Sequence, residues 1–181
     1  IDKNPKELYE AREELGGRSV AETLLTPTRI YVKPMLALFD EIKVKGVSHI
    51  TGGGVYENMP RSIKKGLSVK IKKDDVRVLP IFKLLQKAGN ISERDMFNTF
   101  NMGVGMIAIV DKNDAAKAVE ILKNNGFWVV GTALENSVDY REIDYSGKIA
   151  LVIGNEGSGM SRMMFESCDF IAKIPMYGKV N

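Results

Sequence analysis

The feature that most limits the fold is an alternation along the chain. Short apolar runs that favour β-strands alternate with segments of helical periodicity. This order is typical of α/β and α+β architectures, so we predict a mixed fold of sheets and helices. The predicted strands cover residues 46–51, 67–71, 104–110, 127–132, 149–154 and 170–174. The predicted helices cover 7–15, 31–42, 79–88, 92–97, 114–124 and 159–167, and 57–65 is a short helix or turn.

The composition indicates a globular protein in a reducing compartment. Apolar residues make up 44% of the 181 residues and charged residues 27%. No apolar run reaches the roughly 18 residues of a membrane span, so we expect no membrane partner. The N-terminus shows neither a secretory signal nor an initiating Met, which predicts a fragment. A single cysteine, Cys168, cannot form an internal disulfide, which favours the cytoplasm.

Charge divides the chain unevenly. Residues 1–126 carry 21 basic and 16 acidic side chains, a net charge of +5, whereas 127–181 carry 5 and 7, a net charge of −2. A phosphate backbone attracts clustered Lys and Arg. The acidic balance of 127–181 therefore gives no electrostatic support for RNA binding.

A glycine triplet after a predicted strand is the first candidate site. His49 ends the strand, Gly52–Gly54 follow it, and Arg61 lies seven residues beyond the last glycine. Consecutive glycines let the backbone approach a ligand closely, and successive N–H groups can form an anion nest. Arg61 would add a forked donor, and His49 an acid–base group. The residues alone leave two interpretations open: a phosphate site, or a flexible turn beside a partly buried histidine.

Four motifs in order make this part of the chain more specific. They are LTPTRIYV at 25–32, HITGGG at 49–54, ENMPR at 57–61 and FNMGVGM at 100–106. Over residues 1–126 this series resembles the C-terminal domain of the phosphoribosylformylglycinamidine cyclo-ligases, also called aminoimidazole ribonucleotide synthetases. The resemblance implies that family's mixed sheet with helices, and an ATP-dependent ring closure in purine biosynthesis.

The resemblance also implies roles for individual residues. It assigns His49 a catalytic or substrate-polarising role. It implies ATP with Mg²⁺ and a ribonucleotide substrate, and a homodimer formed through an N-terminal domain that this chain lacks. That domain also carries most ATP and metal contacts, so no metal ligand is predicted here and the fragment is expected to be inactive alone. The residues implied for substrate and phosphate are Gly52, Gly53, Gly54, Asn58 and Arg61.

Four other residues of these motifs each have two interpretations. Thr26 and Arg29 either pack at the entry of a helix or contact a ligand. Asn101 and Gly103 either shape a turn beside the cleft or serve only the entry of a strand.

A second glycine turn follows the predicted strand 149–154. It reads GNEGSG at 154–159 and precedes a helix, but its spacing matches neither a dinucleotide fingerprint nor a phosphate loop. With IPMYG at 174–178 it resembles the SPOUT-class RNA 2′-O-methyltransferases over 127–181. The alternative for 154–159 is an ordinary strand-to-helix turn. The alternative for Ile174 and Met176 is packing in the core. The residues implied to hold S-adenosylmethionine are Gly154, Glu156, Gly159, Ile174, Met176 and Gly178.

The two resemblances together predict two regions, 1–126 and 127–181, joined as a chimeric fragment. The second region would be a partial, unknotted α/β-knot, because an upstream arginine motif and the knot-threading segment are missing. RNA would be a partner only if this region is a functional methyltransferase. The sequence leaves three hypotheses for the function: purine ring closure, RNA 2′-O-methylation, and non-catalytic nucleotide binding.

Overall fold

The computed structural model describes residues 5–71, 73, 76–133, 136–145, 147–153 and 159–173. These residues group into two compact units, and the chain passes between them more than once. The first unit holds the described residues up to Ile30, with Ser48–Lys70 and Val76–Ile107. The second holds Tyr31–Val47, Ile71 with Lys73, and the described residues from Ala108 onward.

Helices and strands both occur along the described chain, as the predicted mixed class requires. In chain order the elements are α1 (Val20–Leu24), α2 (Val32–Glu41), β1 (Gly46–His49), α3 (Gly54–Asn58), α4 (Pro80–Gly89), α5 (Glu93–Thr99), β2 (Met106–Ile109), α6 (Ala115–Asn124), β3 (Trp128–Thr132), β4 (Val138–Asp139), β5 (Ile149–Val152), α7 (Arg162–Ser167) and β6 (Phe170–Lys173). Short 3-10 turns cover Pro5–Tyr9, Glu13–Leu15, Met59–Ser62 and Tyr140–Glu142.

Side-chain caps explain where several helices begin. Ser19 and Glu22 form a capping box on α1: the Ser19 hydroxyl accepts from the Glu22 N–H at 3.1 Å, and the Glu22 carboxylate accepts from the Ser19 N–H at 2.8 Å. Hydrogen bonds that the Glu22 carboxylate accepts from the Ser19 backbone and side chain lower its pKa. Ser92 caps α5 in the same way, accepting from the Asp95 N–H at 3.2 Å, as its spacing predicts.

The first unit has a small apolar core of its own. Leu15, Val20 and Ile81 are buried there, and partly buried side chains of α4 pack against them. The same unit contains β1 residues Ser48 and His49, the glycine turn and α5.

A parallel sheet forms the centre of the second unit. Its strand order is β4-β6-β3-β5, and all three pairings are parallel. Val129 and Val130 of the central β3 are both fully buried, on opposite faces. Val129 packs with Val119 of α6 and Met164 of α7. Val130 packs with Ile143 and Ala172, so apolar side chains cover both faces of this strand.

α2 belongs to the second unit and packs along α6. Leu38 of α2 and Ile42, which directly follows this helix, are buried against Ala118 and Ile121 of α6. The Lys117 ammonium and Glu41 carboxylate lie 3.2 Å apart beside this contact, exposed to solvent. Apolar packing therefore holds the pair, since exposed ion pairs contribute little.

β1 and β2 form a separate two-stranded sheet. Hydrogen bonds at its two ends, from Lys45 N to Ile109 O and from Ile50 N to Gly105 O, make it antiparallel. The sequence predicts a buried strand at 104–110, but none of the four residues of β2 is buried. A two-stranded ribbon lacks the neighbouring layers that would cover both of its faces.

Two predicted elements are wrong. Residues 67–71 form no strand: Leu67 and Val69 are 65% and 41% exposed, and no strand among the described residues pairs with this segment. Residues 7–15 form two 3-10 turns instead of a helix. Arg12 closes a loop there, donating from its N–H to Arg18 O and accepting from Gly17 N, and this replaces helical bonding.

None of the helices within the described ranges has the length and apolar character needed to cross a membrane.

Candidate functional site

The end of β1 carries His49 to the start of the glycine turn. Its neighbours Ser48 and Ile50 are buried at 4% and 1% exposure, whereas His49 is exposed. Alternation along a strand places successive side chains on opposite faces, so burial of Ser48 and Ile50 directs His49 to the other face. The imidazole is thus accessible to a solute.

The glycine turn needs glycine at its last two positions. Gly53 and Gly54 have φ values of +91° and +57°, in the left-handed region, and the Gly54 N–H donates to Thr51 O at 3.0 Å. A β-carbon on Gly54 would lie 1.9 Å from the backbone oxygen of Phe97. α3 therefore packs against the end of α5 at backbone distance. Gly52, by contrast, has open space around it.

The backbone N–H groups of Gly52 and Gly53 are the candidate donors of the turn to a ligand. Among the described residues, none accepts a hydrogen bond from the N–H of Gly52 or of Gly53. Gly52 is also exposed. Unpaired, accessible backbone donors are what an anion nest requires, so the geometry is compatible with a phosphate.

Asn58 lies beneath this turn. It is 8% exposed, and its side-chain amide donates to Gly52 O at 3.1 Å and to Gly54 O at 2.7 Å. The amide nitrogen carries two hydrogens, and both are used. The implied role of Asn58 in binding substrate or phosphate stays a prediction.

Glu57 is a residue of this site that the sequence reasoning missed. Its carboxylate lies 3.9 Å from the Arg61 guanidinium and accepts from the Asn98 amide at 3.3 Å. A β-carbon on Gly53 would lie 2.6 Å from the same carboxylate, which places a negative charge beside the turn. The i,i+4 spacing of Glu57 and Arg61 was the signal that could have found it. Arg61, the predicted phosphate donor, is mainly exposed and offsets that charge.

Three of the other four motif residues make structural contacts. The Thr26 hydroxyl donates to Glu22 O at 3.2 Å and accepts from Arg18 at 2.9 Å, which closes the end of α1. Arg29 follows in an exposed irregular segment. The Asn101 side chain accepts from the Gly103 N–H at 2.9 Å, which shapes a turn before β2. Gly103 has φ of +106°, and a β-carbon there would lie 2.5 Å from Arg77 O.

The second glycine turn is mostly beyond what the structure describes. Gly154, Glu156, Ile174, Met176 and Gly178 lie outside the described residues. Gly159 is described: it is exposed, with φ of +64°. The order β5, α7 and β6 on either side of it agrees with the predicted strands and helix.

The described residues do not fit a metal ion. Within them, no group of three or more His, Cys, Asp or Glu side chains lies close enough together to hold one. No catalytic step through a metal is derived from these residues.

Comparison with known proteins links the first site to a family. A profile described as "AIR synthase related protein, C-terminal domain" matches residues 4–143, which include the whole glycine turn. Relatives named phosphoribosylformylglycinamidine cyclo-ligase include those of Caldicellulosiruptor saccharolyticus, 51% identical over 134 residues that cover 73% of this chain and 39% of the relative, and of Nitrosococcus oceani, 40% identical over 140 residues that cover 76% and 39%. A Bifidobacterium longum relative is 50% identical over 113 residues, covering 62% and 33%.

The extent of these matches bears on the predicted organisation. The chain spans about two fifths of the length of the first relatives, at 39%. The profile runs past the predicted boundary at 126 and includes β3, and it leaves residues 144–181 outside. The division into 1–126 and 127–181 stays a prediction.

Proposed function

Because the chain belongs to the family of AIR synthase related proteins, we propose that it forms the C-terminal part of a phosphoribosylformylglycinamidine cyclo-ligase. The proposed reaction is the ATP-dependent closure of formylglycinamidine ribonucleotide to aminoimidazole ribonucleotide. The observation that carries the proposal is 51% identity over 134 residues to a relative of that name. The ATP and Mg²⁺ contacts are proposed for the part of the relatives that this chain does not match.

The proposed role of the glycine turn is to hold a phosphate-bearing ligand. Its support is the pair of N–H groups at Gly52 and Gly53, for which no described residue supplies an acceptor, with the Arg61 guanidinium nearby on the following 3-10 turn. The Glu57 carboxylate opposes an anion at the same place, so Arg61 has to offset it. Ring closure by phosphoryl transfer needs its ligands held in one geometry, which rigid backbone donors provide.

The proposed role of His49 is to contact the substrate at the reacting centre. Its exposure at the end of a strand with buried neighbours supports this role. An imidazole can give or take a proton, or polarise the amide-type oxygen that ATP phosphorylates.

A hybrid enzyme tests the proposed function. This chain would replace the matching C-terminal part of the Caldicellulosiruptor saccharolyticus relative, and ATP-dependent ring closure would be measured. We expect activity, and a loss of kcat/KM of at least about a hundredfold for His49→Asn. The control is Lys87→Asn on α4, an exposed position in the same unit. A folded hybrid without ring closure, or equal effects of the two substitutions, would contradict the proposal.

A second candidate function concerns the last part of the chain. We propose S-adenosylmethionine binding, and RNA 2′-O-methylation, for 127–181 as the alternative. The succession of β5, α7 and β6, with both strands in one parallel sheet, supports it. The extension of the family profile to 143 favours ring closure instead. Calorimetric titration separates them: S-adenosylmethionine binds only under the alternative, whereas ATP or AMP binds under the first. A non-catalytic nucleotide-binding domain would bind AMP and leave the hybrid inactive.

A further inference from the structure

The amide of Asn58 joins the two ends of the glycine triplet. Its two hydrogens go to the carbonyls of Gly52 and Gly54, the residues on either side of Gly53. The Gly52 carbonyl shares its peptide plane with the Gly53 N–H, and the Gly54 carbonyl lies in the peptide that follows Gly54, so the Asn58 amide fixes the first of these planes relative to the second. Asn58 is buried and lies at the end of α3. Its hydrogen bonds therefore fix the glycine turn to the same helix that begins at Gly54.

α5 holds the same turn from a second direction. The Cα of Gly54 lies against the backbone oxygens of Phe97 and Phe100, where an added β-carbon would meet them at 1.9 and 2.9 Å. Met96 of α5 is fully buried. The carboxyl end of the triplet is therefore anchored to packed backbone, and its amino end is held by Asn58.

We propose that Asn58 is a positioning residue, which sets the N–H groups of Gly52 and Gly53 for a phosphate and does not bind the phosphate itself. Its amide has no hydrogen left to donate, and its oxygen can only accept. A phosphate oxygen needs donors, and these come from the turn. This inference rests on the proposed function only in taking phosphate as the ligand.

Hydrogen exchange tests the positioning without any ligand. The Gly54 N–H bonds to Thr51 O and the Glu57 N–H bonds to Gly53 O, so their exchange rates report whether the turn keeps its shape. In Asn58→Ala, loss of about two hydrogen bonds should speed exchange at both amides at least about tenfold. Asn58→Asp, which replaces the donor with a carboxylate, should do the same.

Asn125 offers a matched control. Its side-chain amide donates to Ile121 O at 2.9 Å in the second unit, so Asn125→Ala removes a bond of the same kind away from the turn. It should leave exchange at Gly54 and Glu57 unchanged. Unaltered exchange at these amides in both folded Asn58 variants would overturn the proposal.

Inorganic phosphate tests the functional part. Titrated into the full chain, it should shift the amide resonances of Gly52 and Gly53 to saturation, and Asn58→Ala should weaken this binding at least about tenfold. Asn125→Ala should bind as the unchanged chain does. Phosphate affinity preserved in Asn58→Ala, or no shift at Gly52 and Gly53 in the unchanged chain, would overturn the proposal. An inactive hybrid that still shows these shifts would refute ring closure alone.

Discussion

The two units place a glycine against different kinds of neighbour. In the turn of the first unit, Gly54 faces backbone oxygens of Phe97 and Phe100. In the sheet of the second unit, Gly131 faces the ends of side chains, Met160 Cε at 2.6 Å and Cys168 Sγ at 2.7 Å from an added β-carbon. Backbone moves only with its whole helix, whereas a side-chain end can rotate. A glycine's tolerance of an added β-carbon therefore depends on the groups that surround it as well as on its own conformation.

Gly54→Ala should show the largest effect. The added β-carbon meets backbone at 1.9 Å in a left-handed conformation, so we expect a loss of at least about 3 kcal/mol in the free energy of unfolding. Chemical denaturation measures it. Gly52→Ala is the control from the same triplet: it has open space and should change stability by under about 1 kcal/mol. Equal losses of stability in the two variants would show that the backbone contact at Gly54 does not determine the effect.

Gly131→Ala should cost less than Gly54→Ala. Here φ is ordinary and the obstructing groups are the ends of Met160 and Cys168, so repacking should limit the loss to about 1–2 kcal/mol. The same denaturation experiment measures it, and Met160→Ala combined with Gly131→Ala should recover part of the loss. A loss of unfolding free energy as large as that of Gly54→Ala would show that the side chains around Gly131 cannot repack.

The packing around Gly131 should also slow the chemistry of Cys168. Burial raises the pKa of its thiol, Asp169 adds to this, and Lys123 acts in the opposite sense. The folded chain should therefore react with an aromatic disulfide more slowly than the unfolded chain at pH 8. The rate is followed by absorbance. Equal rates in the two states would mean that this side of the sheet opens readily.

The smallest effect concerns the edge of the sheet. Hydrogen bonds from the Arg141 side chain and N–H lower the pKa of Asp139 from 3.8 to about 2. A depressed carboxyl pKa adds stability above the unfolded value, and this is lost as the pH falls from about 4 towards 2. Arg141→Ala should raise the Asp139 pKa towards 3.8, as measured by NMR titration. An unchanged pKa would assign the shift to the backbone bond alone.

Much of the fold could be predicted from local sequence patterns. Helical periodicity at 31–42 and 114–124 corresponds to α2 and α6, and Ser92 caps α5 as predicted. α1 was missed although Ser19 and Glu22 spell its capping box, so the signal was present in the sequence. The strand predicted at 67–71 had the alternation, but none of the described strands pairs with it, which a local pattern cannot reveal.

In the candidate site, too, contacts between side chains and backbone could not be predicted from local sequence patterns. Its motif residues could be named from their order, but not the partners of Asn58, which are carbonyls brought within reach by the turn itself. The sequence showed Glu57 only as part of the motif at 57–61, and the structure places its carboxylate beside Gly53 and Asn98.

The sequence by itself determined the mixed class, the helix caps, the position of the glycine turn and the family, because these depend on neighbours along the chain and on motif order. Only the tertiary structure decided that Gly54 meets the backbone of α5, that Asn58 donates both hydrogens to the turn, and that β3 lies between β5 and β6. These are contacts between distant residues. They form where packing and hydrogen bonding together outweigh the entropy of bringing the segments into contact.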